Sequence, residues 1–468
     1  MVFSSLEFLF LFLPVSLLIH FLCPVRWRNI AILAVSLIFY GWGEPIYVFL
    51  MVATIVADYL FGFAVSKNAD NAKAKKNWLI VAVVFNLLLL GFFKYADFII
   101  ENLSAIPLFS GLSPIGIRLP IGISFYTFQA LSYVIDVYRG EANVQKNIAS
   151  FGAYITLFPQ LIAGPIVRYH DIDLQLSSRS ITVDRVAQGF RRFICGLAKK
   201  VLLANSAYAM WSYYTAMPDG TRTVVGAWLG IAWFSAYIYF DFSGYSDMAI
   251  GLGKVLGFDF AENFNYPYIS KSITDFWRRW HISLSTWFRE YVYIPLGGNR
   301  CSSKRMFFNL FVTWLLTGIW HGASWNYVVW GLYFFALLVI EKAFLGKLLK
   351  KLPSFLSHSY ALFFIAIGWL IFAFEDSSAG LSYLGSMFGV GASAFVDAGD
   401  GYEIVRSFAT AAIMCFAAVP QTKDMLTALF RRRSFGIYAE NAVCVALLLI
   451  CTAFLVDSTF NPFLYFRF

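Results

Sequence analysis

Residues 314–333 read WLLTGIWHGASWNYVVWGLY, and no Asp, Glu, Lys or Arg stands anywhere between Met306 and Ile340. Cations bracket this stretch, with Arg300, Lys304 and Arg305 before it and Lys342 and Lys347 after it. Such clusters mark cytoplasmic loops of membrane proteins. The chain must therefore enter the bilayer and return to the same face. At 1.5 Å per residue, 306–340 supplies roughly 52 Å of helix, short of two crossings of a roughly 30 Å hydrocarbon core. His321 falls at the turn, flanked by Gly318 and Gly322. The expectation is an imidazole deep in the membrane, on irregular backbone that is tolerated only when buried in protein or lining a water-filled cavity. Intramembrane ionisable groups are functional candidates by default. The structural alternative is a histidine that only hydrogen-bonds between helices.

The rest of the chain fits this reading. Its 468 residues are 59% hydrophobic and 13% charged, against about 25% charged in soluble domains, and mean hydropathy is +0.67. Apolar runs of about 17–25 residues recur from end to end, each long enough to cross a bilayer as a helix. They are continuous rather than alternating, which excludes an outer-membrane barrel. The fold class is an all-α polytopic membrane protein, read as one domain over 1–468. Helices are expected near 5–22, 29–43, 46–65, 77–95, 120–136, 187–205, 223–240, 243–257, 306–320, 324–341, 356–374, 404–420 and 437–456, with about eleven true spans and the shorter ones re-entrant. The first segment carries Glu7, has no basic n-region and shows no clear cleavage site before Cys23; it reads as a retained membrane helix.

The net charge of +9 follows from cytoplasmic loops, so no nucleic-acid partner is needed to explain it. Six cysteines without CxxC or Cys/His spacing support neither a disulfide framework nor a metal site. Toward the C-terminus, Lys342, Lys347, Lys350 and Lys351 and later Lys423, Arg431, Arg432 and Arg433 read as cytoplasmic. Glu375, Asp376, Asp397, Asp400 and Glu403 between them read as an acidic outer loop.

A second concentration of signal runs from Phe240 to Arg300. Ser272 with Asp275 matches a capping box that starts a helix at Ile273. On one such helix Thr274, Trp277, Arg278, His281, Leu284, Ser285 and Phe288 share a face. A water-filled pocket or headgroup-level groove suits that face; an interfacial helix anchored by Trp, with Arg278 and Arg279 on anionic lipid, explains it too. Asp241 and Asp247 are expected to pair with basic residues, and Gly251, Gly253 and Gly257 to allow close helix packing. A GxSxG elbow and the ligand density of a hydrolytic metal site are absent from the sequence. Two histidines reached from the membrane interior suit proton abstraction from a hydroxyl. Two classes stay open on residues alone: a group-transferase with a buried histidine base, and a proton-coupled transporter using His321 as relay, although no inverted repeat is visible.

Several blocks resemble the membrane-bound O-acyltransferase family, and more closely its bacterial alginate O-acetylation branch. They are LPIGISFYTFQALSYVIDVYRG (119–140), FPQLIAGPIVRY (158–169), the Phe240–Arg300 block, TGIWHGASWNYVVWG (317–331) and the terminal FLYFRF. The resemblance implies a ring of membrane helices, with re-entrant and interfacial pieces, around a central funnel. It implies catalysis by His321, with His281 at the family's second polar position. Trp277, Arg278, Trp280, Ser285, Arg289, Trp320 and Asn326 are then expected at the funnel or donor site. With it come acetyl-CoA as acyl donor and no bound cofactor, a bacterial inner-membrane location, and periplasmic SGNH-type acetyltransferase and accessory partners. Lys271, Arg278, Arg279, Arg289, Arg300, Lys304 and Arg305 give the cytoplasmic face a positive field suited to an anionic donor. Cellulose, peptidoglycan or D-alanylated teichoic acid are alternative polymers within the family.

Overall fold

The computed structural model describes residues 1–431 and 436–457; the terminal FLYFRF and Arg432 and Arg433 lie outside these residues. Every regular element among the described residues is helical. Six helices are long and apolar enough to cross a membrane: Tyr47–Lys67, Ala72–Ser104, Val224–Val255, Trp325–Leu349, Ser354–Ala373 and Gly436–Asp457. A seventh is gained if Ala398–Ala417 and Pro420–Phe430, bent by 81°, form one broken span. Proline at that break removes a backbone donor and crowds the preceding turn. The chain is thus a multi-pass membrane protein. Several other expected spans take the form of shorter helices, such as Arg28–Gly43 and Ile123–Arg139.

The helices sort into two compact units, Met1–Phe193 with Ser246–Ala261, and Ile194–Tyr245 with Glu262–Phe468. In the first, Phe3, Phe8, Phe12, Phe39 and Phe158 are buried together, with Phe12 centred 5.3 Å from Phe39 and 5.5 Å from Phe158. Rings at such distances contribute about 0.5–1.5 kcal/mol per pair beyond their burial. Two polar pairs lie within this unit. The Asp58 carboxylate accepts from Asn86 Nδ2 at 2.7 Å, and Arg192 donates to Asp247 at 2.8 Å.

The second unit holds Lys200 Nζ 2.6 Å from Asp241 Oδ1, with both side chains buried. These pairings correct one expectation. The segments 223–240 and 243–257 are a single helix, Val224–Val255, because the two aspartates that suggested a break each have a basic partner. Small residues allow the close approach these pairs need: a Cβ on Gly251 would lie 2.5 Å from the Gly189 carbonyl in the first unit, and one on Gly244 2.8 Å from the Gly196 carbonyl in the second.

The acidic segment is committed locally. Asp376 caps the helix Ser377–Met387, and Asp397 and Asp400 form a reciprocal capping box at Ala398–Ala417. Asp400 also accepts from Thr223 Oγ1 at 2.6 Å, and Glu403 pairs with Arg406.

In the first unit, His170 Nδ1 lies 2.8 Å from Asp136 Oδ2. The Asp136 hydrogen bond holds the His170 imidazole above its ordinary value of 6.5. A raised folded-state value stabilises the fold fully below 6.5, and that contribution is lost as pH rises through the raised value. Replacement of His170 with Gln is therefore expected to lower the unfolding temperature by a few degrees at about pH 6 and by much less at about pH 9. Thermal unfolding of the detergent-solubilised protein across this range checks it.

Candidate functional site

The helix Ser303–His321 ends on His321, Gly322 is extended, and Trp325–Ile340 begins after Ser324. This is the expected hairpin with the histidine at its turn. Its arms pack backbone to backbone. A Cβ on Gly318 would lie 2.4 Å from the Tyr327 carbonyl oxygen, and one on Gly331 2.5 Å from that of Trp314. At Gly322 a Cβ would strike the Tyr327 ring at 2.3 Å. Only glycine fits these three places without a shift.

His321 is 4% exposed. Its ring meets Trp330 at 4.8 Å, Trp320 at 5.1 Å and Phe372 at 5.3 Å between centroids. Trp330 in turn packs on Trp277 at 5.4 Å, and Trp277 on Trp314 at 4.8 Å. The imidazole thus occupies an aromatic, low-dielectric surround in which a proton transfer is shielded from bulk water. The indole N–H groups of Trp277 and Trp330 have no acceptor among the described residues. Buried donors without an acceptor are uncommon in native structures.

The segment carrying His281 corrects the one-helix expectation. Ser272 does cap it, accepting from Asp275 N at 3.0 Å. The helix then runs only over Ile273–Trp277, and a second one, Ile282–Phe288, follows. His281 sits between them at φ 44°, one of two non-glycine residues with positive φ among the described residues. The left-handed region costs such a residue about 1–2 kcal/mol, which the surroundings must offset. Asn263 and Asn265 hold the break. Ile282 N donates to the Asn263 carbonyl at 3.0 Å, and Asn265 N to that of Arg279 at 2.9 Å. These cross-chain bonds have no local sequence signature, which is why helical periodicity missed the break.

Because of the break, the seven residues assigned to one face separate. His281 is 1% exposed and lies against Phe242 at 4.6 Å and Trp320 at 6.2 Å. Trp320 meets both histidines, so His281, Trp320 and His321 form a chain of rings. Trp277 joins the hairpin through Trp330. Trp280 packs elsewhere, on Trp369 at 4.7 Å and Phe264 at 5.0 Å. Arg278 and Arg289 are exposed, and Arg289 bonds Glu290 at 3.1 Å. Ser285 is half-buried, with its carbonyl accepting from Arg289 N. Asn326 donates to the carbonyls of Ile371 and Phe372 at 3.3 and 3.2 Å. It thereby anchors the end of the helix whose Phe372 faces His321.

Two residues outside the expected set position this site. Phe372 is the first. The second is Glu341, just after the second arm of the hairpin, whose buried carboxylate accepts from Ile273 N at 2.6 Å, Thr274 N at 2.9 Å and Thr274 Oγ1 at 2.6 Å. A carboxylate at a helix start satisfies orphan N–H groups and meets the positive end of the dipole. Its sequence signal is its place, the first charge after the uncharged stretch.

The sequence pattern of MBOAT, the membrane-bound O-acyltransferase family, matches residues 141–384. The chain is 45% identical over 394 residues to the probable alginate O-acetylase AlgI of Pseudomonas aeruginosa, covering 84% of this chain and 75% of that protein. It is 44% identical over 394 residues to the protein of the same name from Azotobacter vinelandii, with 84% and 79% covered. A peptidoglycan O-acetyltransferase of Helicobacter pylori is 32% identical over 425 residues, with 83% and 80% covered.

Substituting Glu341 with Ala leaves the first N–H groups of Ile273–Trp277 without their acceptor. The expected cost is about 1–3 kcal/mol of stability, with Gln retaining part of the contribution. Denaturation midpoints of the wild type and the two variants in detergent measure it.

Proposed function

Because the chain belongs to the membrane-bound O-acyltransferase family, we propose that this membrane O-acyltransferase draws an acetyl group from cytoplasmic acetyl-CoA for O-acetylation of an exported polysaccharide such as alginate. It passes the group across the bacterial inner membrane to periplasmic partners of the SGNH-acetyltransferase type. The observation that carries this reading is the buried imidazole of His321 at the turn between two packed helices, joined through Trp320 to His281. A neutral imidazole there accepts the proton of an acceptor hydroxyl as its oxygen attacks the thioester carbonyl. The carbon–sulfur bond breaks, and the thiolate leaves with the proton returned from His321. General-base assistance of this kind is worth about 10²–10⁴ in rate.

Support for an anionic donor comes from Lys271, Arg278, Arg289, Arg300, Lys304 and Arg305, all exposed. Ordinary positive-inside topology accounts for the same charges, so the direction of donor supply is the property to test. Alginate is favoured over peptidoglycan by 45% against 32% identity. The relay to partners rests on the small size of the outer segment 374–397, a short helix with capped ends, rather than on its negative charge, much of which serves those caps.

His321→Ala is expected to abolish polymer acylation, a loss of at least about 10²-fold, with membrane insertion unchanged. Acylation assays on membranes of matched protein content check this, and full activity in the variant defeats the assignment. For the donor and the relay, purified protein is placed in vesicles with labelled acetyl-CoA and polymer and no other protein. Little polymer acetylation is expected there, and it is expected to appear once the periplasmic partner is added, only when acetyl-CoA is supplied at the cytoplasmic face. Acetylation only from acetyl-CoA at the outer face refutes the donor assignment, and efficient polymer acetylation without the partner refutes the relay.

A further inference from the structure

We propose that Asn263 is a positioning residue that fixes His281 as its Nδ1–H tautomer and thereby presents Nε2 as the proton acceptor of that ring. The inference rests on the reading of His281 as part of the acyl-transfer machinery and adds the residue that sets its protonation geometry.

The argument starts from a donor whose identity is not in question. The backbone N–H of Ser283 points at Asn263 Oδ1 at 3.2 Å. A peptide N–H can only donate, so that end of the Asn263 amide is its oxygen. The Ser283 hydroxyl gives a second donor to the same oxygen at 2.9 Å. His281 Nδ1 lies 3.1 Å from this oxygen and 3.4 Å from Ser283 Oγ. Two acceptors cannot bond to each other, so Nδ1 must bear the hydrogen. In the neutral ring Nε2 then has the free lone pair.

The same residue also holds the backbone in place. The Asn263 main-chain carbonyl accepts from Ile282 N at 3.0 Å. One side chain and one peptide group thus grip residues 281–283 around the left-handed conformation at His281. Backbone strain persists where the surroundings over-determine it, and such residues cluster at functional sites. The other faces of the ring meet Phe242 of Val224–Val255 and Trp320 of the hairpin. Both of these rings are uncharged, and Trp320 also meets the titratable ring of His321. Asn263 is therefore placed to govern the hydrogen-bonding state of His281, as outer partners of ligating or catalytic histidines commonly do.

Two measurements test this. In the wild-type protein with ¹⁵N-labelled histidine, the His281 signals, assigned by their loss in His281→Gln, are expected to show a protonated Nδ1 and an unprotonated Nε2. A protonated Nε2 with a bare Nδ1 overturns the proposal, whatever the variants do. In Asn263→Asp the acceptor is kept but becomes a carboxylate. A carboxylate on Nδ1–H favours the imidazolium, so the acid limb of the pH–rate profile is expected to move up by about one unit or more. Asn263→Leu, with no acceptor, is expected to lower kcat roughly ten- to a hundredfold. A profile in Asn263→Asp that overlays the wild type overturns the proposal. Failure of the underlying reading looks different: His281→Ala and His321→Ala would then both keep full activity.

Discussion

The two helices that meet at Gly322–Ser324 run back along each other so closely that their arms touch at the backbone. Here Gly318, Gly322 and Gly331 make that contact possible, and the rest of the site is arranged around it. The close hairpin sets Trp314, Trp320 and Trp330 on inward faces, and Trp277 docks onto two of them. With the arms in contact, His321 ends its helix against rings rather than against lipid. A methyl group at Gly318 would push the arms apart before anything else in the site could form.

The second element of the site is held to the first by charge at one end and by rings at the other. Glu341, leaving the second arm, receives the N–H groups that open Ile273–Trp277. Trp320 meets both histidines. Carboxylate and indole therefore fix both ends of the short segment that leads from Ser272 to the His281 break. Burial in an apolar surround strengthens such contacts, and it makes each unmet polar group expensive.

The place of His321 at the turn between two helices was legible because glycines flank it in an uncharged stretch, a pattern that depends only on local sequence. The Ser272 cap was legible for the same reason. The break at His281 was not, because it is imposed by Asn263 and Asn265, whose sequence position gives no hint that they face residues 279–283. Asp241 and Asp247 misled in the same way. In isolation they interrupt an apolar run, whereas Lys200 and Arg192 make them internal to one helix. Arg278 was drawn toward the site by helical spacing and turns out at the surface once the helix divides. Local pattern read the elements that stand on their own turns, and distant hydrogen bonds decided the remainder.

The buried Lys200–Asp241 pair bears on how the chain is made. Either charge alone at the centre of a membrane helix raises the cost of insertion by about 2.5–3.5 kcal/mol. Presented alone to the bilayer, the span Val224–Val255 would carry Asp241 without Lys200, the residue that neutralises it. Presented together, each neutralises the other, 2.6 Å apart. The span Val224–Val255 therefore has a cost in the bilayer that is set by a residue on another helix.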